Sequence, residues 1–443
     1  MPDPTGSAPV DLERIAASTR RKMAWRILPL VMAMYVIAYL DRANLGFAAA
    51  PMLEQLQFTA DVYGYGVGLF FVGYLLLEVP GALLVEHWSA RKWFARILIT
   101  WGLCSAGMAF VRTPEQFYLA RFLLGLAEAG FFPGVIVYFT HWFPRAERAR
   151  ALSIMLLGVP GSLLLGSQVS AVLLQHPALD LAGWQWVFIV EGIPAVILGI
   201  AVPFLLPDRP RDAHWLTTEE RDWLESTLER EHQETAALTG RITLAQALRQ
   251  RTVWLLALGI LFTNVGGYAL VYWLPLAIKG MLQATGTDPT NSDVLGWASW
   301  TYLGGLAGVL ISGRSSDATG DRKWHCIAGQ VGSGVFLAMS VIPGQPWPLV
   351  FTWLCLTGFC STFWITPFWV LPTLALTSSA AAVSIGFINM CANVAGLIGS
   401  PIFGRMKAAG LPDAAGLIFL ATAYALGGVF VAQIRLQRKD QAT

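Results

Sequence analysis

The chain has 443 residues, 55% of them apolar and only 13% charged, against about 25% charged in an ordinary soluble domain. Its 18 Trp, 24 Phe and 43 Gly match the aromatic and small-residue enrichment of membrane helices. A net charge of +2 gives no bulk attraction for nucleic acid. The cysteines (Cys104, Cys326, Cys355, Cys360, Cys391) all fall in apolar runs, which argues against a disulfide frame or a metal site.

The opening stretch MPDPTGSAPVDLERIAASTRRK is polar and lacks a secretory pattern, so it is expected to stay as an N-terminal tail, residues 1–24. Twelve apolar runs of membrane length follow. Six lie near 25–47, 62–85, 93–111, 116–140, 151–175 and 184–206, and six near 252–279, 294–312, 326–343, 347–371, 381–404 and 412–434. The expected fold is all-α and integral to the membrane: 12 transmembrane helices in two pseudo-symmetric six-helix bundles, 25–206 and 252–435. Between the bundles, 207–251 reads as a linker whose LTTEERDWLESTLEREHQE is an amphipathic, solvated helix; 436–443 is a short tail. Of the 30 Lys and Arg, 24 fall on the side of the N-terminus, so both tails and the linker are expected in the cytoplasm.

The first span carries YVIAYLDRANLG, in which Asp41 and Arg42 sit deep in an apolar run. A charge there costs roughly 2.5–3.5 kcal/mol on insertion scales, so it marks a function. Glu78, Arg121, Glu128 and Glu191 complete the set of deep ionisable residues, all in the first half. The second half offers neutral polar groups instead: Asn264, Tyr268, Tyr272, Ser361, Thr362, Asn389 and Asn393.

Arg42 presents a planar fork suited to a carboxylate, either a substrate's or, as a static tie, that of Asp41 or Glu128. Asp41 and Glu128 are carboxylates in a low-dielectric setting, which favours the protonated form and makes them candidate proton sites. Arg121, two turns before Glu128 on the same face, is its alternative partner. Tyr39, Tyr74 and Tyr268 are candidates for the pocket. Glu78 reads as part of an inner gate or a helix tie, and Glu191 as a brace at the end of its span. Asn389 and Asn393, one turn apart beside Gly386 and Gly396, either line the site or join helices. Trp364 and Trp369 either pack on a substrate ring or belong to the core.

Two loops repeat. PGALLVEHWSARK (80–92) and SGRSSDATGDRK (312–323) each place an acid (Glu86, Asp317), a small residue three later (Ser89, Gly320), then a basic pair (Arg91–Lys92, Arg322–Lys323). They follow the second span of each half. Parallel duplicated halves of this kind build secondary transporters that rock about a central site, with the acids as gate latches.

These loops, together with YLDRANLG, FFVGYLLLEVPGALL, ARFLLGLAEAGFFPG, WFPRAERARAL, GWQWVFIVEGIPA and FWVLPT through SIGFINMCANVAGLIGSP, resemble the major facilitator superfamily, and within it the anion:cation symporters. The resemblance runs nearly end to end. That family includes bacterial permeases for tartrate, sugar acids, phthalate and hydroxyphenylacetate. It implies proton-coupled uptake of a small organic carboxylate across the inner membrane by a protein expected to be monomeric and to need no cofactor. It also implies that Arg42 meets the substrate carboxylate, that Asp41 and Glu128 carry protons, and that Asn393 lines the site. Glu86-His87 with Ser89 departs from the family's usual Asp-Arg with Gly, which weakens the expected first gate. Drug export or exchange and a non-transporting sensor are the alternatives. The six His lie in loops or at span ends without paired ligand spacing, so no enzyme is expected.

Overall fold

The computed structural model describes residues 9–239, 243–376 and 378–436. Ten helices among them are long and apolar enough to cross a membrane. The other two of the twelve expected spans, Ala90–Met108 and Lys323–Ser340, are helices in matching positions, third in each half. Their mean hydropathy is lowered by Arg91, Lys92 and Arg96 in one and by Lys323, His325 and Gln330 in the other. The repeated loops start these two helices. The Ser89 hydroxyl accepts the Lys92 N–H at 3.3 Å, and Asp321 accepts the Trp324 N–H at 3.2 Å. Both bonds satisfy amides that a helix start leaves without partners.

Packing follows the duplication. The third span lies against the sixth as the ninth lies against the twelfth. Likewise the second packs on the fourth as the eighth packs on the tenth, and the first on the fifth as the seventh on the eleventh. The halves meet mainly through first with seventh, second with eleventh and fifth with eighth.

Four spans are broken, two in each half and in symmetric positions. The fourth is split into Pro114–Glu128 and Phe131–Thr140, and the fifth into Arg145–Leu156 and Gly158–Gln175. The tenth comprises Trp347–Phe363, Ile365–Phe368 and Leu371–Ala375; the eleventh relaxes to a 3-10 turn at Ala395–Leu397. Irregular backbone at membrane depth is tolerated where it faces protein or a cavity rather than lipid. Gly130 makes the break after Glu128 workable. It sits at φ +82°, and any Cβ there would come within 2.6 Å of the Gly81 Cα on the second span.

On the face that bears the termini, the tail is more ordered than expected. Pro9–Arg26 is a helix that runs into the first span, Leu28–Leu56, with only Ile27 between them. It packs on the linker helix Thr218–Thr239. Lys22 Nζ and the Ser18 hydroxyl each lie 2.7 Å from Glu220, which also accepts the Thr217 N–H at 2.9 Å. Burial alone would push the Glu220 carboxyl up, but Lys22, Thr217 and Ser18 together hold it below the usual carboxylate range. The tail segments 1–8 and 437–443, with Arg438 and Lys439 of the last basic cluster, lie outside the described residues.

Candidate transport site

Between the halves lies a cavity of about 190 Å³, lined by residues of both. The first half contributes Tyr35, Tyr39, Arg42, Tyr74 and Glu128, and an apolar wall of Leu156, Val159, Pro160 and Leu163. From the second come Asn264, Tyr268, Tyr302, Ser361, Thr362, Trp364, Trp369, Asn389 and Asn393. Beyond the cavity, on the side away from the termini, the seam is closed by backbone. A Cβ on Gly46 would sit 2.8 Å from the Val271 carbonyl, and one on Gly64 would sit 2.6 Å from that of Ser400. The Tyr63 hydroxyl ties that region together by donating to the Tyr272 carbonyl at 3.0 Å.

Among the described residues, Arg42 is the one basic side chain on the cavity wall. Its Nε lies 2.6 Å from Glu128 Oε1, and the rings of Tyr39, Tyr74 and Phe70 surround its guanidinium at 5.4, 4.9 and 5.5 Å. Glu128 ends its helix at the Gly130 break, so its side chain is delivered to the cavity at the point where the backbone turns. Asp41 takes another direction. It is buried behind the cavity, where it accepts from Asn44 at 2.8 Å and from the Ser105 hydroxyl of the third span; its Oδ2 has no partner among the described residues. Adjacent positions on a helix diverge by about 100°, so the pair in YLDRANLG divides between cavity and bundle interior.

Arg121 does not pair with Glu128. It is buried, its Nε donates to the Gly66 carbonyl at 3.3 Å, its guanidinium lies 4.8 Å from the Phe70 ring centre, and its Nη2 has no partner among the described residues. Glu191 lies well inside its span, Gly183–Leu205, where it accepts from Ser170 at 2.7 Å; it joins the sixth span to the fifth and does not brace a span end. Glu78 crosses the seam: its Oε1 accepts from Asn389 at 2.6 Å and from Asn393 at 2.8 Å. The Tyr268 hydroxyl lies 3.3 Å from Asn393 Oδ1 and extends that chain into the cavity. Both asparagines therefore line the site while their donors are engaged by a carboxylate of the other half.

The repeated loops are tied differently in the two halves. Glu86 bonds His141 at 2.9 Å and lies 4.0 Å from Arg209 of the linker, while Arg91 pairs with Asp208 at 3.2 Å. Lys92 reaches only the Trp88 ring, at 5.9 Å. In the second half Asp317 pairs with Arg322 at 2.6 Å, and Lys323 donates to the Ile434 carbonyl at 2.8 Å. The substitution of Glu86-His87 for the usual pattern is thus accompanied by partners outside the loop. Tyr35, Tyr302 and Tyr424 of the cavity were not singled out from sequence, and neither were Ser105 and Ser170. A tyrosine in an apolar run carries no signal of which way it faces, whereas Asn44, three residues after Asp41, was a readable partner.

Two helical bundles facing one another across a cavity, with broken helices at the seam, are the architecture of a multi-pass membrane transporter. The sequence profile of the Major Facilitator Superfamily matches residues 31–400, and the chain belongs to that family. It is similar to a protein of Agrobacterium vitis named "Putative tartrate transporter", 40% identical over 404 residues, 90% of this chain and 91% of that one. A "Quinolone resistance transporter" of Acinetobacter baumannii is 35% identical over 426 residues, covering 96% of both. The fold is that of a solved D-xylose-proton symporter, with a TM-score of 0.74 at 14% identity over 93% of this chain and 97% of that one.

Proposed function

We propose that the protein carries a small organic carboxylate inward together with protons, by alternating access. The observation that carries this reading is the pairing of Arg42 with Glu128 on the cavity wall at 2.6 Å. A substrate carboxylate competes with Glu128 for the guanidinium. When it wins, Glu128 is left as an uncompensated carboxylate in a low-dielectric site and takes a proton, which discharges the site. Substrate and proton are thereby linked. Asp41, with one oxygen unpartnered, is the second proton position. Potential favours the cycle: each charge is worth about 2.3 kcal/mol per 100 mV, and two protons with a monoanion bring in one positive charge.

Tyr39, Tyr74, Tyr268, Asn389 and Asn393 complete the substrate site. The apolar wall of the fifth span and the surrounding rings fit a carboxylate with an apolar or aromatic body. Glu86, Arg91, Lys92, Asp317, Arg322 and Lys323 form the gates on the termini face; Arg121, Glu78 and Glu191 are structural charges. The protein acts as a monomer in the inner membrane with both termini in the cytoplasm. The name of the Acinetobacter relative favours a second reading, export by the same cavity. A thermal-shift screen against carboxylates at two pH values, then uptake of any hit into proteoliposomes with an inward proton gradient, tests the proposal. Accumulation that follows the gradient supports it; accumulation in everted vesicles, energised in the opposite sense, supports export.

A further inference from the structure

The helix Pro9–Arg26 carries five basic residues, and the four nearest the membrane, Arg20, Arg21, Lys22 and Arg26, stand in two different states. Arg20 lies 2.5 Å from Glu147 and 5.8 Å from the Trp223 ring, and Lys22 lies 2.7 Å from Glu220. Arg21 and Arg26 have no ion-pair or hydrogen-bond partner among the described residues. They line a pocket of about 320 Å³ together with Lys22, Trp25 and Trp215.

Sequence spacing makes this a single surface. Arg21 and Trp25 are one turn apart, as are Lys22 and Arg26, so the two pairs stand side by side along the helix. Trp215, at the start of the linker, forms the opposite wall and is held there by stacking on Trp142 at 5.6 Å. Trp25 is 76% exposed.

Depth supplies the second argument. The first span begins at Leu28, and a helix rises about 1.5 Å per residue. Arg26 and Trp25 therefore lie roughly 3–5 Å below that start and Lys22 and Arg21 roughly 9–10 Å below it, within reach of the polar layer that flanks the hydrocarbon. An exposed Trp at that level is the usual interfacial anchor. Two guanidinium groups beside it, unmatched among the described residues and facing a concave surface, leave positive charge for an anion to meet. No carboxylate among the described residues lines the pocket; Glu220, the partner of Lys22, is already satisfied by Lys22, Ser18 and Thr217, and Glu147 by Arg20.

We infer that this pocket is a binding site for the phosphate of an anionic phospholipid headgroup. Arg21 and Arg26 hold the phosphate, Lys22 adds charge from behind, and Trp25 packs on the upper acyl chain and glycerol. Seated there, the lipid fastens the N-terminal helix and the linker to one leaflet.

The test is native mass spectrometry of the full-length protein in detergent. It is titrated separately with phosphatidylglycerol, phosphatidylcholine and inorganic phosphate, and the series is repeated on R21Q/R26Q. The expected result is a phosphatidylglycerol adduct retained by the native chain, with affinity falling as salt rises and weakened about twentyfold or more in the double variant. The variant's far-ultraviolet circular dichroism and thermal midpoint confirm that it is folded. Equal retention of phosphatidylcholine, or equal phosphatidylglycerol affinity in a folded variant, overturns the assignment. Displacement of the lipid by inorganic phosphate at similar concentration overturns it too, since the site would then be one for a free anion.

Discussion

Arg42 and Glu128, 86 positions apart in the chain, meet at 2.6 Å on the wall of the central cavity. The contact is an ion pair and also a place-holder: the acid occupies the position a substrate carboxylate needs. Arg42→Ala is expected to weaken carboxylate binding by about 10–100-fold, the worth of a charge-assisted bond. Glu128→Gln is expected to abolish accumulation driven by a proton gradient while leaving counterflow of labelled substrate intact. Proteoliposome assays of both variants decide it. Gradient-driven accumulation at the parental rate in Glu128→Gln would sink the coupling scheme.

Closure on the side away from the termini depends on an absent side chain at Gly404. A Cβ there would lie 3.2 Å from the Gly64 Cα and collide with the Ala60 carbonyl, and backbone cannot move aside cheaply. Gly404→Leu should hold the second and eleventh spans apart and slow transport at least tenfold. Ser400, buried in this state, should become reactive as a cysteine toward an impermeant maleimide in a background without native cysteines. Unchanged labelling would show that the seam closes elsewhere.

Glu78 holds two amides of the opposite half with one oxygen. A double-mutant cycle of Glu78→Gln with Asn393→Ala, followed by unfolding, is expected to return a coupling of about 1.5–3 kcal/mol, the range for a bond to a charged group. Additivity within about 0.5 kcal/mol would mean that the bridge is idle in the folded protein.

The strap that Pro9–Arg26 forms by packing on the linker helix Thr218–Thr239 should depend on pH. Glu220 is held below the usual carboxylate range, so its contribution is present above that range and fades as pH falls toward the lower folded value. Protection factors over Pro9–Arg26, with each exchange rate referred to the intrinsic amide rate at the same pH, should therefore fall between pH 6 and strongly acidic pH, and Glu220→Gln should show the low protection at both. Identical protection in the variant would assign the strap to Arg20 and Glu147 instead.

Much of this architecture was legible because membrane helices write their length directly into the sequence. The duplicated loops at Glu86 and Asp317 fixed the relation of the halves, and rarity at depth picked out Arg42 and Glu128. What stayed hidden depends on direction. Nothing in YLDRANLG tells that Arg42 faces the cavity while Asp41 turns toward Ser105, or that Arg121 misses the acid two turns away on its own helix. Partner choice across the seam was equally unreadable, because Glu78 and Asn393 are 315 positions apart. Long-range pairing of that kind is set by how whole bundles dock.

The six ionisable residues at membrane depth all belong to the first half, and the second answers them with amides, hydroxyls and rings. An electric field does work only on charge, so the voltage across the bilayer grips one bundle and finds little to push on in the other. In the proposed cycle, the protein's own contribution to any current comes from the first six helices, added to the charge of the protons and substrate carried, and the last six contribute little.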